Sequence, residues 1–153
     1  MLHCGAGSSN LGRELVAQSE VRISELVEID YVDTKRPEVI EMDVRNMPDP
    51  EWTRAFDVLI EKGCFDALAF DASEKPLGDA IRECARVLDV TNSGSRLFSI
   101  SNEAPEIRLD LLRETLRLAV SGVRWGITFQ DMAQGDDALS PSCYLYICRP
   151  LLV

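Results

Sequence analysis

Three stretches of the chain carry residues whose type and spacing suit ligand chemistry. The first is Leu2-His3-Cys4-Gly5-Ala6-Gly7-Ser8-Ser9-Asn10-Leu11, a strand end, a glycine turn and a helix start. Gly5 and Gly7 can adopt backbone angles barred to other residues and let a ligand lie against the main chain. Ser8, Ser9 and Asn10 suit an N-cap, and a helix N-terminus offers free N–H groups to an anionic group. A dinucleotide fingerprint requires a third glycine at position 10, which is Asn10 here, with Gly12 two residues late. A nicotinamide-binding domain is therefore the less favoured reading of this turn. The second stretch is the apolar run Leu26 to Ile29, closed by Asp30. A carboxylate after the second strand of a βαβ unit can accept hydrogen bonds from ribose hydroxyls; the bland alternative is a solvated loop residue. The third is Glu61-Lys62-Gly63-Cys64-Phe65-Asp66, which follows the clearest strand, Phe56 to Ile60. In an open α/β sheet a loop at that strand end faces the ligand crevice.

The elements that must hold these residues alternate along the chain. Met1 to Cys4 is a short first strand, and Leu11, Leu15 and Val16 form a modest helical stripe that fades by Ser19. Val39 to Val44 reads as a third strand, yet only Tyr31 to Glu38, with Pro37 among them, link it to the second. A parallel crossover normally takes a dozen or more residues and a helix. Either that helix is lost or the two strands do not pair in the usual way. Leu77, Ala80, Ile81, Cys84, Ala85 and Leu88 follow a helical period, with Ser73 as a cap and Pro76 in the first turn. The turn Asn92-Ser93-Gly94 precedes a strand over Arg96 to Ser101, and a helix follows from about Ile107 to Val120. Strands over Arg124 to Gln130 and Cys143 to Arg149, joined through the polar loop Gln134 to Pro141, complete a hairpin. The expectation is one α/β domain over residues 1–153, with a mostly parallel, Rossmann-like sheet and an antiparallel C-terminal edge strand.

Composition narrows the partners. A formal charge of −10 disfavours nucleic acid and anionic membranes, which demand basic patches, and suits a basic protein partner. The sequence has one histidine, His3, and cysteines at 4, 64, 84, 143 and 148 with no C-x-x-C spacing. That pattern argues against a metal centre or a disulfide framework and for reduced thiols in a cytoplasmic protein. No signal peptide or apolar run long enough to span a membrane is present.

The glycine turn, Ile29-Asp30, Met42-Asp43-Val44-Arg45 and Phe56 to Ala67 together resemble the seven-β-strand S-adenosylmethionine-dependent methyltransferases. The narrower likeness is to the methyltransferase-like branch that includes elongation factor 1A lysine methyltransferases. Their Asp-Lys-Gly-Thr-Leu-Asp-Ala pattern is close to Glu61 through Ala67. Further matches are Arg86-Val87-Leu88, Ser101 through Pro105 to Arg108, and Tyr144 to Arg149.

That resemblance implies S-adenosylmethionine as cofactor and a protein lysine, on an elongation-factor-like partner, as methyl acceptor. Gly5, Gly7 and Ser8 would border the methionine end and Asp30 the ribose, with Tyr31 among the cofactor contacts. Asp43 would meet the adenine amino group and Val44 the ring face. Glu61, Lys62 and Gly63 would lie below the sulfonium, with Glu61 orienting the acceptor; Phe65 and Trp125 could hold a cation, though aromatics at such positions are more often core. The family carries a segment ahead of the first strand and a helix between the second and third strands. Here Met1 opens inside the first strand, so the chain reads as truncated at its N-terminus. One sheet face should then stay uncovered and favour self-association, and the competing reading is an inactive relative acting through protein contacts.

Overall fold

Register across the sheet fixes the architecture. In the computed structural model, which describes residues 1–20, 22–70, 75–132 and 142–151, Cys4 lies between Ile29 on one side and Glu61 on the other. These belong to β1 (Leu2–Cys4), β2 (Val27–Asp30) and β4 (Val58–Lys62). With β3 (Val39–Glu41), β5 (Arg96–Ser101), β6 (Arg124–Asp131) and β7 (Tyr144–Leu151) they form a seven-stranded sheet of order β3-β2-β1-β4-β5-β7-β6. The first five strands pair in parallel, and β7 runs antiparallel between β5 and β6. The helices are α1 (Leu11–Gln18), α2 (Cys64–Ala69), α3 (Lys75–Val87) and α4 (Pro105–Ala119). Ser73 and the loop 134–141 fall outside the described residues.

The short crossover resolves in favour of a lost helix. β2 and β3 do pair in parallel, Glu28 facing Val39 and Asp30 facing Glu41, and residues 31–38 contain no helix. Eight residues can span roughly 26–29 Å fully extended, whereas the return past a three-residue strand is roughly 10 Å. The brevity of β3 is what makes the link sufficient.

The two sheet faces differ in cover. Leu2, Leu59, Leu97 and Cys148 stand in register and are all buried. They share one core cluster with Leu77, Ile81 and Cys84 of α3 and with Leu112 and Leu116 of α4. His3, Ile60, Phe98 and Ile147 are the register row of the opposite face. There α1 covers one end: a Cβ at Gly12 would lie 3.1 Å from His3 Nδ1 and 3.0 Å from Glu28 Oε1. Phe98, Ile100, Leu145 and Ile147 are only half-buried, and none joins the core cluster. No helix among the described residues is long and apolar enough to cross a membrane.

Three sequence boundaries shift. Phe56 lies outside β4 and bridges Leu88 instead, while the polar pair Glu61 and Lys62 continues the strand rather than opening a loop. Val39 to Val44 shortens to β3 because Asp43 turns the chain, accepting from the N–H of Arg45 at its side chain and of Asn46 at its carbonyl. Cys64, Phe65 and Asp66, expected in a loop, begin α2.

Candidate functional site

Four parallel strands end around one cleft of about 490 Å³. Gly5 follows β1, Asp30 ends β2, Met42 to Arg45 follow β3, and Lys62 to Cys64 lead from β4 into α2. Ligand crevices of open α/β sheets lie at such carboxyl ends, beside the strand where the order reverses. That strand is β1, with β2 on one flank and β4 on the other. The volume falls within the usual range for small-molecule sites.

The glycine turn is held by close packing and by borrowed hydrogen bonds. Gly5 has φ +65°, and a Cβ there would lie 2.6 Å from Cys64 Cβ, so the start of α2 approaches the turn only because Gly5 has no side chain. Gly7, with φ +50°, donates its N–H to Asp30 Oδ2 over 2.8 Å. The other oxygen of Asp30 accepts from Val32 N over 3.0 Å, so one carboxylate joins the glycine turn to the loop after β2. Arg36 completes the fastening from outside: its Nη1 donates to the carbonyls of Gly7 (3.2 Å) and Ser9 (2.7 Å). Its Nη2 donates to Glu28 Oε2 over 2.7 Å, and Glu28 also contacts His3 Nδ1 at 3.0 Å in a fully buried pair.

At the far end of the cleft Asp43 is gripped by Arg45. The main-chain N–H and Nε of Arg45 each donate to Asp43 Oδ1 over 2.9 Å, and Nη2 donates to Oδ2 over 2.6 Å. The guanidinium holds the Asp43 carboxyl below the usual carboxylate range despite opposing desolvation. Arg45 also lies over the Tyr31 ring, 5.9 Å from its centroid. Tyr31 is two-thirds exposed, so this contact stands at the mouth.

Of the residues expected at a site, the structure brings Gly5, Asp30, Tyr31, Asp43, Val44 and Lys62 into this cleft. Gly7, Ser8 and Glu61 are not among its lining residues. Gly7 acts through Asp30, and Ser8 is exposed while Ser9 Oγ takes up the N–H of Leu11. Glu61 is a correction. Its register partners are Cys4 and Ser99, which place its side chain on the covered face, and it is wholly buried. Oε1 accepts from Ser99 Oγ and Oε2 from the Phe65 N–H over 3.0 Å. Gly63 at the N-cap of α2 has no side chain, so Glu61 performs the capping. Burial pushes its carboxyl up to about 7, against the hydrogen bonds from Ser99 and Phe65. In that position it caps α2 and does not line the cleft.

The two aromatic residues take the alternative of core packing. Phe65 is fully buried in the core. Trp125 packs on the core near the start of β6, which runs parallel to β5, and so lies at the edge of the sheet opposite the cleft. Sequence reasoning missed Arg36 and the bearing of Arg45 on Asp43. An arginine two residues after a strand-end aspartate is a readable signal for the second; nothing periodic marks the first.

No protein-family model and no curated protein matches the chain. Solved structures align with nearly all of it. A TehB-like SAM-dependent methyltransferase from Corynebacterium glutamicum is 14% identical with a TM-score of 0.61, over 98% of this chain and 79% of that one. The N-methyltransferase NodS from Bradyrhizobium japonicum is 15% identical with a TM-score of 0.60, over 97% and 84% respectively. The CMeT domain structure of the citrinin polyketide synthase gives 14% and 0.61, covering 97% of this chain but 45% of that one. This chain thus spans less than half of the length of that domain structure. At such identities the likeness is one of fold: the seven-stranded, mostly parallel sheet with antiparallel C-terminal strands is shared with these structures.

Proposed function

We propose that the chain is an S-adenosylmethionine-dependent methyltransferase. The observation that carries this reading is the convergence of Gly5, Asp30, Asp43, Val44 and Lys62, from four strand ends, on one cleft. The donor set fits the cofactor. Asp30 has free acceptor capacity for ribose hydroxyls beyond its bonds to Gly7 and Val32, and Asp43 is an accept-only carboxylate suited to an amino group. Ile29, Met42, Val44 and Leu68 supply apolar walls, and the bare backbone of Gly5 permits close approach. When bound, the cofactor supplies an activated methyl group on a sulfonium. The work left to the chain is to bind, orient and keep water out.

The acceptor we read as a protein lysine. The net charge of −10 favours a basic partner, and Glu61 to Ala67 is similar to the corresponding stretch of elongation factor 1A lysine methyltransferases. Lys62 is exposed at the cleft rim, and in this reading its ammonium would pair with the cofactor's carboxylate, since like charges disfavour the sulfonium.

Calorimetric titration with S-adenosylhomocysteine tests the assignment. Binding is expected, and Asp30→Ala should weaken it by on the order of 1.5–3 kcal/mol through loss of charge-assisted hydrogen bonds. Tritiated S-adenosylmethionine with basic protein acceptors tests transfer. The half-exposed row at Phe98, Ile100, Leu145 and Ile147 favours a second reading, a non-catalytic protein-contact module. Absence of S-adenosylhomocysteine binding would select it.

A further inference from the structure

We infer that α4 is a self-association surface, on which a second copy of this chain packs its own α4 antiparallel about a two-fold axis. The inference goes beyond the proposed function and does not depend on the cleft.

Helical spacing lays the surface out. Ile107, Leu111, Glu114 and Leu118 recur at intervals of four, three and four residues, the seam spacing of paired helices, so they lie along one line of α4. Ile107 is 61% and Leu118 65% exposed, more than any other leucine, isoleucine or valine among the described residues. Exposed aliphatic side chains scattered singly are ordinary. These two stand at the ends of one stripe with half-buried Leu111 between them. Charges occupy one flank of the stripe: Glu106 and Asp110 toward the start, Arg113 and Arg117 toward the end, all exposed. The helix dipole favours that order but supplies no partners. Asp110 and Arg113, 3.3 Å apart, form the sole ion pair of this flank among the described residues.

Antiparallel pairing of two such helices satisfies both features at once. In the register that sets Ile107 against Leu118 of the second copy, Leu111 faces Glu114 of that copy. Arg117 of the second copy is then level with residue 108, between Glu106 and Asp110. Arg113 of the second copy is level with residue 112, between Asp110 and Glu114. Negative and positive groups alternate along each half of the flank, and the two-fold axis makes the surface its own complement. Beside Ile107 and Leu111 a hollow of about 290 Å³, lined also by Ala69 and Leu77, is open to receive Leu118 of the second copy. A helix of 15 residues spans roughly 22 Å, so the contact sits at the lower end of specific interfaces and the dimer is expected to be weak.

Sedimentation of the chain at roughly 1–300 μM tests this, and the wild-type chain is expected to pass from monomer to dimer over that range. Two charge variants separate this surface from any other. Arg113→Glu with Arg117→Glu leaves the flank acidic throughout; Glu106→Arg, Asp110→Arg and Glu114→Arg together leave it basic throughout. Each alone should dimerise at least roughly tenfold more weakly, and an equimolar mixture should form a heterodimer at least as tight as the wild-type dimer. Ile107→Ser with Leu118→Ser, both at exposed positions that folding does not need, should abolish the dimer. A wild-type chain that stays monomeric over the whole range overturns the inference. So does a dimer that survives unchanged in the charge variants or in Ile107→Ser with Leu118→Ser, which places the contact elsewhere. Folded, monomeric charge variants that fail to combine on mixing overturn it as well.

Discussion

Arg36 Nη2 donates to Glu28 Oε2 over 2.7 Å, and that carboxylate is only 3% exposed. The same guanidinium holds the carbonyls of Gly7 and Ser9, so the loop that replaces a crossover helix is stitched directly to the glycine turn. In this chain a single side chain does part of what a helix would otherwise do: it fixes the turn against the back of β2. Arg36→Ala leaves Glu28 with His3 and a longer contact to Arg13, at 3.7 Å. Removing one partner of a buried pair should cost roughly 3 kcal/mol, read by denaturant unfolding, together with weaker S-adenosylhomocysteine binding. Glu28→Gln in the same background removes the stranded charge and should recover much of the stability but not the affinity, since the Gly7 and Ser9 carbonyls stay unheld. Recovery of both would show that Arg36 serves folding alone.

Glu61 gives a pH dependence with a definite sign. Its carboxyl is raised from 4.5 to about 7, first by burial and further by Asp66, against Ser99, Phe65 and Arg108. Between those values the folded chain holds a proton that the unfolded chain has released, so this contribution to stability is full below about pH 4.5 and is lost as pH rises through 7. The swing is on the order of 3 kcal/mol. Glu61→Gln keeps an acceptor for the Phe65 N–H and a donor for Ser99, so it should flatten this part of the profile and be at least as stable as wild type above pH 7. A variant profile parallel to wild type between pH 4.5 and 7 would refute the assignment.

Adjacent residues of β5 should respond differently because they face different neighbours. Leu97 is buried in the cluster with α3 and α4, so Leu97→Ala should cost about 2–5 kcal/mol. Phe98 is half-buried and outside the core cluster, so Phe98→Ala should cost about 1 kcal/mol despite the larger side chain. Equal losses in thermal unfolding would mean that the Phe98 face is covered after all.

Much of this was legible because the pattern was long. The i, i+3, i+4 repeat from Leu77 to Leu88 and the alternation in Arg96 to Ser101 carry enough periods to identify α3 and β5. α2 was not legible, since six residues from Cys64 to Ala69 hold less than two turns. Asp30 and Asp43 could be placed because strand-end acids in an α/β sheet must sit near the crevice. Glu61 misled for a geometric reason. At the carboxyl end of β4 a one-position change in register turns a side chain from cleft to core, and composition does not say which. Arg36 was invisible because its partners, Gly7, Ser9 and Glu28, are 8 to 29 residues away in sequence.

The coupling between Gly5 and Cys64 yields the last prediction. The two residues come from different strands' ends, yet a Cβ on Gly5 would lie 2.6 Å from Cys64 Cβ and 2.9 Å from its Sγ. Sγ can turn away about χ1, but the Cβ contact cannot be relieved that way, because Cys64 is the first residue of α2 and its Cβ moves with the helix backbone. Gly5→Ala must therefore push α2 away from the turn, and Cys64, Ala67 and Leu68 with it, which widens the cleft. It must also hold alanine at φ +65°, which costs roughly 1–2 kcal/mol. Replacing Cys64 by glycine removes both clashing atoms but not the backbone strain. Gly5→Ala is thus expected to lower the melting temperature and to weaken S-adenosylhomocysteine binding at least tenfold. Gly5→Ala with Cys64→Gly should regain affinity relative to Gly5→Ala while remaining less stable than wild type, because glycine at the start of α2 adds its own entropic cost. A double variant that binds no better than Gly5→Ala would place the effect in the turn's own backbone and not in the approach of α2.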